Sequence, residues 1–112
     1  MTTMTFQEFA QKVDADGKRI MRTAYDTTLL RAVQCQDGFT VSIQASATHY
    51  CSPRDNVPFA QYTAYELGFP SEPDDLITEY ADNPTKPKET VYGWVPREVV
   101  AQLIEKHGGI KA

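Results

Sequence analysis

Two of the five arginines in this 112-residue chain stand where a guanidinium has a chemical use. Arg54 lies in the polar run Ala47-Thr48-His49-Tyr50-Cys51-Ser52-Pro53-Arg54-Asp55-Asn56, which gathers an imidazole, hydroxyls, a thiol, a guanidinium and an amide. Arg97 follows Val95-Pro96 at the start of a stretch with helical periodicity. A basic side chain in a helix's first turn works against the helix dipole by about 0.3–1 kcal/mol, so a compensating partner is expected there. One such partner is a phosphate, because helix-start N–H groups and a planar fork suit the same anionic oxygens. The other is a carboxylate, Glu98 or a more distant acid. Tyr50, Phe69, Tyr80, Tyr92 and Trp94 fall in or beside the loops, and each ring offers a flat face to a nucleobase. Strand aromatics more often belong to the core, yet guanidinium and ring together point to a nucleotide-like ligand.

Other chemistries find less support. His49 and Cys51 are close enough in sequence for a thiol nucleophile and its base. A loop histidine bonded to backbone is the commoner arrangement. Cys35 and Cys51 are sixteen apart and the histidines are His49 and His107, so the pair spacing of a zinc site is missing and two reduced thiols are expected. His107 reads as a charge complementing the end of a helix. Asp74, Asp75, Glu79 and Asp82 form an acidic run with no motif that sets one carboxylate opposite another, and read as a solvated face. Gly108-Gly109 follows a helix instead of opening one, unlike a phosphate-binding loop. A binding surface is expected, with no catalytic residues, no metal and no cofactor.

The formal charge of −4 and pI of about 5.0 give no basic field for DNA or anionic lipid. No run approaches the roughly 18 apolar residues of a membrane helix, and the first residues lack the pattern of a signal peptide. A cytoplasmic protein is expected.

The elements that must carry these residues follow from periodicity. Thr5-Phe6-Gln7-Glu8 has the form of a capping box, and Phe6, Phe9, Ala10 and Val13 recur at helical spacing until Asp14-Ala15-Asp16-Gly17. Residues 18–25 and 29–35 read as a hairpin turning at Asp26-Thr27-Thr28, and Gln36-Asp37-Gly38 as a second turn into a strand from Phe39. Gln61 to Phe69 reads as a strand whose inner side carries Thr63, Tyr65, Leu67 and Phe69. Four prolines make 70–87 a long loop, with a short helix at 74–80, before a strand at 90–95. Pro96 then opens a helix from Arg97 to His107, with Val99, Val100, Leu103 and Ile104 apolar and Gly108-Gly109 as the stop. The fold expected over 1–112 is a single α+β domain, an antiparallel sheet of about five or six strands with an N-terminal and a C-terminal helix.

The loop His49-Tyr50-Cys51-Ser52-Pro53-Arg54, the segment Tyr65-Glu66-Leu67-Gly68-Phe69-Pro70 and the tail Val91-Tyr92-Gly93-Trp94-Val95-Pro96 to Gly108-Gly109-Ile110 resemble the first-described family of phage Thoeris anti-defence proteins, over roughly Arg22 to the end of the chain. The resemblance implies a non-catalytic sponge in the host cytoplasm that sequesters cyclic ADP-ribose isomers, and in some relatives cyclic oligonucleotides, and so blocks anti-phage immune signalling. It implies that Phe69 stacks on the ligand and that Arg97 takes its phosphates, with Arg54 a candidate for a second nucleotide site; His49 and Tyr50, in the same loop as Arg54, are candidate ligand contacts. Tyr80 and Asn83 are further candidates. It also implies a homo-oligomer, dimer or hexamer, with ligand held between subunits; so small a protomer encloses a dinucleotide-sized ligand better with a partner's help.

The competing expectation is an acidic mobile-element protein that covers a basic surface on a host nuclease or other defence enzyme, with Asp74, Asp75, Glu79 and Asp82 as its contact side.

Overall fold

A computed structural model describes residues 3–16, 20–21 and 28–111. The chain runs β1 (Thr3–Met4), α1 (Phe6–Asp16), β2 (Ile20–Met21), β3 (Thr28–Leu29), β4 (Val33–Gln34), β5 (Thr40–Gln44), β6 (Ala64–Gly68), β7 (Val91–Pro96), α2 (Arg97–Lys106) and β8 (Ile110–Lys111), with 3-10 turns at Phe59–Gln61 and Thr78–Tyr80. The class is α+β, antiparallel throughout the described pairs, with a helix near each end. A four-stranded sheet in the order β4-β5-β6-β7 forms the centre; β2-β3 and β1-β8 are separate two-stranded ribbons, the second bridged to the β4 edge at Cys35 and Ile110. No described helix is long and apolar enough to cross a membrane.

Local chemistry explains the helices. The amide of Thr5 donates to Glu8 Oε1 at 3.0 Å and the amide of Glu8 donates to Thr5 Oγ1 at 3.1 Å, the reciprocal pair of a capping box. Helix α2 ends in a Schellman motif: the amide of Gly108 donates to Glu105 O at 3.0 Å and that of Gly109 to Ile104 O at 2.9 Å. Both glycines hold φ +88°, which a side chain would resist. Gly17, expected to end α1, lies outside the described residues.

Apolar faces of both helices meet on the sheet. Phe6, Ala10 and Val13 from α1 and Val100, Leu103 and Ile104 from α2 are buried with Val41, Ile43, Tyr65, Leu67, Tyr92 and Val95. Phe6 packs edge-on against Tyr65, ring centroids 4.9 Å apart. An aromatic cluster of Phe6, Phe9, Phe59, Tyr62 and Tyr65 thus joins α1 to the strand that carries Phe69 at its end.

Three strand expectations change. The arm expected over 29–35 is divided, because the side chain of Gln44 bonds both backbone groups of Leu30, Nε2 to O at 2.8 Å and Oε1 from N at 2.9 Å. An amide side chain replaces a strand partner there, so β3 pairs with β2 while β4 pairs with β5. The turn expected at 26–28 falls mostly outside the described residues. The strand expected from Gln61 begins only at Ala64, because Phe59–Gln61 coils into a 3-10 turn whose amides at Phe59 and Ala60 are capped by Asp14 Oδ1 and Oδ2 at 2.6 and 3.0 Å. Its expected inner side holds only in part: Tyr65 and Leu67 are buried, Thr63 and Phe69 are exposed, and Tyr62 from the other side is buried.

Candidate functional site

Strands β6 and β7 position most of the candidate residues. Tyr65 pairs with Val95 and Leu67 with Tyr92, so Gly93 and Trp94 together oppose Glu66. This is a bulge, and it turns the amide of Trp94 away from the ladder to donate to Tyr50 O at 2.9 Å. Glu66 completes the link by accepting the amide of Tyr50 at 3.2 Å. The polar loop is therefore fastened to the sheet at Tyr50.

Aromatic side chains collect at that fastening. Tyr50 and Trp94 stack with centroids 5.0 Å apart at 25°, and the guanidinium carbon of Arg54 lies 5.5 Å from the Tyr50 ring. A Cβ on Gly93 would come within 3.2 Å of Tyr50 Cβ, so glycine there lets Tyr50 lie down on the strand. Tyr50 and Trp94 are 41% and 50% exposed. Arginine, phenol and indole form an open surface able to stack a planar ring beside a positive charge.

Phe69 closes β6 and is 59% exposed. It and Trp94 hold φ of 52° and 51°, and among the described residues they are the non-glycines with positive φ. Left-handed backbone costs an L residue about 1–2 kcal/mol. Such strain is commonest where a side chain is being presented for use. In Phe69 the strand ends, its amide donates to Thr90 O at 3.1 Å, and the ring is left outside the core.

The other candidates sit differently. His49 is buried, with Nδ1 2.6 Å from Ser46 Oγ, and Ser46 also accepts the amide of Thr48, so this pair staples the loop from inside. Arg97 directs Nη2 to the carbonyls of Ala60 and Tyr62, and not to Glu98. Its guanidinium braces the 3-10 turn, and its own amide donates to Thr63 O at 2.9 Å. Phe69 and Arg97 stand at opposite ends of the β6-β7 pair: Arg97 lies opposite Thr63, six residues or about 20 Å from Phe69 along the β6 strand direction. Tyr50, held by Glu66, lies between them. Tyr80 is half-buried; Asn83 is exposed, with Oδ1 accepting from the hydroxyl of Thr85 at 2.6 Å.

Both thiols are free and buried, and burial pushes the Cys51 thiol up and that of Cys35 to about 11. Cys51 Sγ donates to Ser46 O at 3.1 Å, while His49 is turned to the Ser46 hydroxyl. A protonated, enclosed thiol is a poor nucleophile.

The acidic loop is also divided. Asp75, Glu79 and Asp82 are exposed, but the side chain of Asp74 is only 3% exposed, gripped by Lys106 Nζ at 3.1 Å and His107 Nε2 at 2.9 Å. It was expected in the solvated face; its burial follows from these partners and from the amide of Leu76, which it caps at 3.0 Å.

Glu66 is the member of this surface that periodicity could not single out, since the bulge that sets it opposite Gly93 and Trp94 is a property of register. Two clefts lie elsewhere: one of about 710 Å³ between Thr3–Glu8 and the end of α2, and one of about 250 Å³ lined by Asp37, Gly38, Phe39, Ser71 and Glu72. Among the described residues no group of three or more His, Cys, Asp or Glu side chains could hold a metal. Compared with protein-family models, curated proteins and solved structures, the chain has no match.

Proposed function

We propose that this protein binds and sequesters a cyclic ADP-ribose-type signalling nucleotide without altering it, and so blocks bacterial anti-phage immune signalling. The observation that carries the reading is Phe69: a large ring, 59% exposed, on left-handed backbone at the end of a buried strand. A solvated phenylalanine held at that cost fits a surface that stacks a base. The stack of Tyr50 and Trp94 with Arg54 beside it supplies further ring area and a cation for phosphate. The resemblance adds the ligand class, the host cytoplasm and a dimer or hexamer with ligand between subunits. A sponge needs tight, preorganised contacts and no acid-base pair. The rival reading, an acidic inhibitor docking on a host enzyme, has less support because Asp74 is turned inward to Lys106 and His107.

Calorimetric titration with cyclic ADP-ribose isomers, followed by chromatography of the heat-released ligand, tests the reading. Tight binding and intact ligand are expected. Phe69→Gly should weaken binding by about 5- to 150-fold, the equivalent of about 1–3 kcal/mol for one stacked base. The same change should leave stability unchanged or raise it by up to about 1 kcal/mol, since glycine relieves the positive φ. Chemically altered ligand would mean an enzyme. Failure to bind any cyclic nucleotide would remove the reading and turn attention to protein partners.

A further inference from the structure

His107, at the end of α2, lies between two carboxylates from distant parts of the chain. Its Nδ1 is 2.6 Å from Asp37 Oδ2 in the β4-β5 turn, and its Nε2 is 2.9 Å from Asp74 Oδ2 in the 70–87 loop. The ring lies flat on Phe39, centroids 3.9 Å apart and planes within 6°. The charged neighbours are Asp37 from the turn, Asp74 from the loop and Lys106 from α2, with Glu72 lining the small cleft beside Asp37. Cys35, next to the turn, keeps its proton.

An imidazolium has two N–H donors and satisfies both carboxylates; a neutral ring has one donor and one acceptor. After losing a proton it must face one carboxylate with a lone pair. The two are not equivalent. Asp74 is 3% exposed, so an unpaired charge there is costly, whereas Asp37 is 51% exposed and is readily hydrated.

We infer that His107 is a proton-operated latch: charged, it holds the Asp37 carboxylate of the β4-β5 turn to α2, and neutral, it releases Asp37 while keeping Asp74. The small cleft, of which Asp37 is one wall, is then fixed at lower pH and loosened at higher pH. The turn stays attached through backbone bonds from Gln36 to Gly109 O and from Asp37 to His107 O, so the change is local.

The titration direction agrees. Burial lowers His107, but the bonds to Asp37 and Asp74 outweigh it and the net direction is up. A group whose folded pKa is raised contributes stability that is complete below its unfolded value, about 6.5, and lost as pH rises through the folded value. For Asp37, held down first by the Phe39 amide and then by His107, the contribution is present above about pH 3.9 and lost as pH falls through the folded value. Asp74 behaves the same way: burial raises it, and bonds from Leu76, His107 and Lys106 reverse that to a net decrease. Both halves of the latch are complete between about pH 4 and 6.5.

Nitrogen-15 NMR of the full chain from pH 5 to 9, with His107 and His49 separately assigned, tests the latch. We expect the His107 midpoint above 6.5, the neutral proton on Nε2, and the amides of Gly38 and Phe39 moving with the same midpoint while Leu76 stays still. Asp37→Asn should lower the midpoint and abolish the co-titration of Gly38 and Phe39. A midpoint at or below 6.5, a neutral proton on Nδ1, or movement at Leu76 without movement at Phe39 would overturn the inference.

Discussion

Alanine at Tyr65 is expected to lower the unfolding free energy by about 3–5 kcal/mol, the range for emptying a large aromatic site in a core. Tyr65 is fully buried and touches three other rings, Phe6 at 4.9 Å, Phe59 at 5.1 Å and Tyr62 at 5.8 Å between centroids. Helix α1, the 3-10 turn and β6 all lean on it, so neighbouring side chains cannot close the space without moving an element. Its hydroxyl donates to Phe59 O at 2.6 Å, and burial pushes its pKa up to about 12, so it remains a neutral donor. Tyr65→Phe removes this one hydrogen bond and should cost about 0.5–1.5 kcal/mol. Urea titrations of both variants check the pair. A loss under about 1 kcal/mol for the alanine variant would mean that the aromatic cluster does not hold α1 to the sheet.

The second large effect belongs to Arg97. Arg97→Met keeps the stem and removes the fork, leaving the carbonyls of Ala60 and Tyr62 without their charged donor. A hydrogen bond from a charged group contributes about 1.5–3 kcal/mol, and part of the site reaches water, so a loss of about 2–4 kcal/mol is expected. The consequence for function is direct. Should nucleotide binding fall in this variant together with the urea midpoint, the cause is displacement of the 3-10 turn and the start of β6. Unchanged stability with weakened binding would show instead that the guanidinium serves the ligand. Arg54→Ala separates the two roles more cleanly, because Arg54 is exposed and rests on the Tyr50 ring.

Periodicity was sufficient for both helices, and the capping box at Thr5 and the glycine pair after His107 located their ends to within a residue. Those signals are local: a hydroxyl three residues before a carboxylate, a residue without Cβ where φ must be positive. The same holds for the turn at Gln36-Asp37-Gly38, where Gly38 takes φ +95°. What sequence spacing could not carry is contact between remote side chains and backbone. Gln44 cuts one strand by bonding Leu30, and Asp14 shortens another by capping Phe59 and Ala60, both at long sequence separation. The candidate surface follows the same division. Arg54, Tyr50, Phe69 and Trp94 were visible as residue types in or beside loops, whereas the stacking of Trp94 on Tyr50 required the β6-β7 register, and the bracing role of Arg97 required knowing where the 3-10 turn at Phe59–Gln61 sits.

The ribbon of β1 and β8 carries a kinetic consequence. It pairs Thr3 with Lys111 and Met4 with Ile110, joining parts of the chain separated by nearly its whole described length. Loop-closure entropy grows with the logarithm of the intervening length, and only two residue pairs are gained in return. Such a contact is expected to form after the helices and the central sheet have shortened the path between its ends, and to open at a lower free energy than the core does. Amide exchange at Met4 and Ile110 should therefore report a local breathing motion, well below the global unfolding free energy, that exposes the end of α2 while the aromatic cluster stays closed.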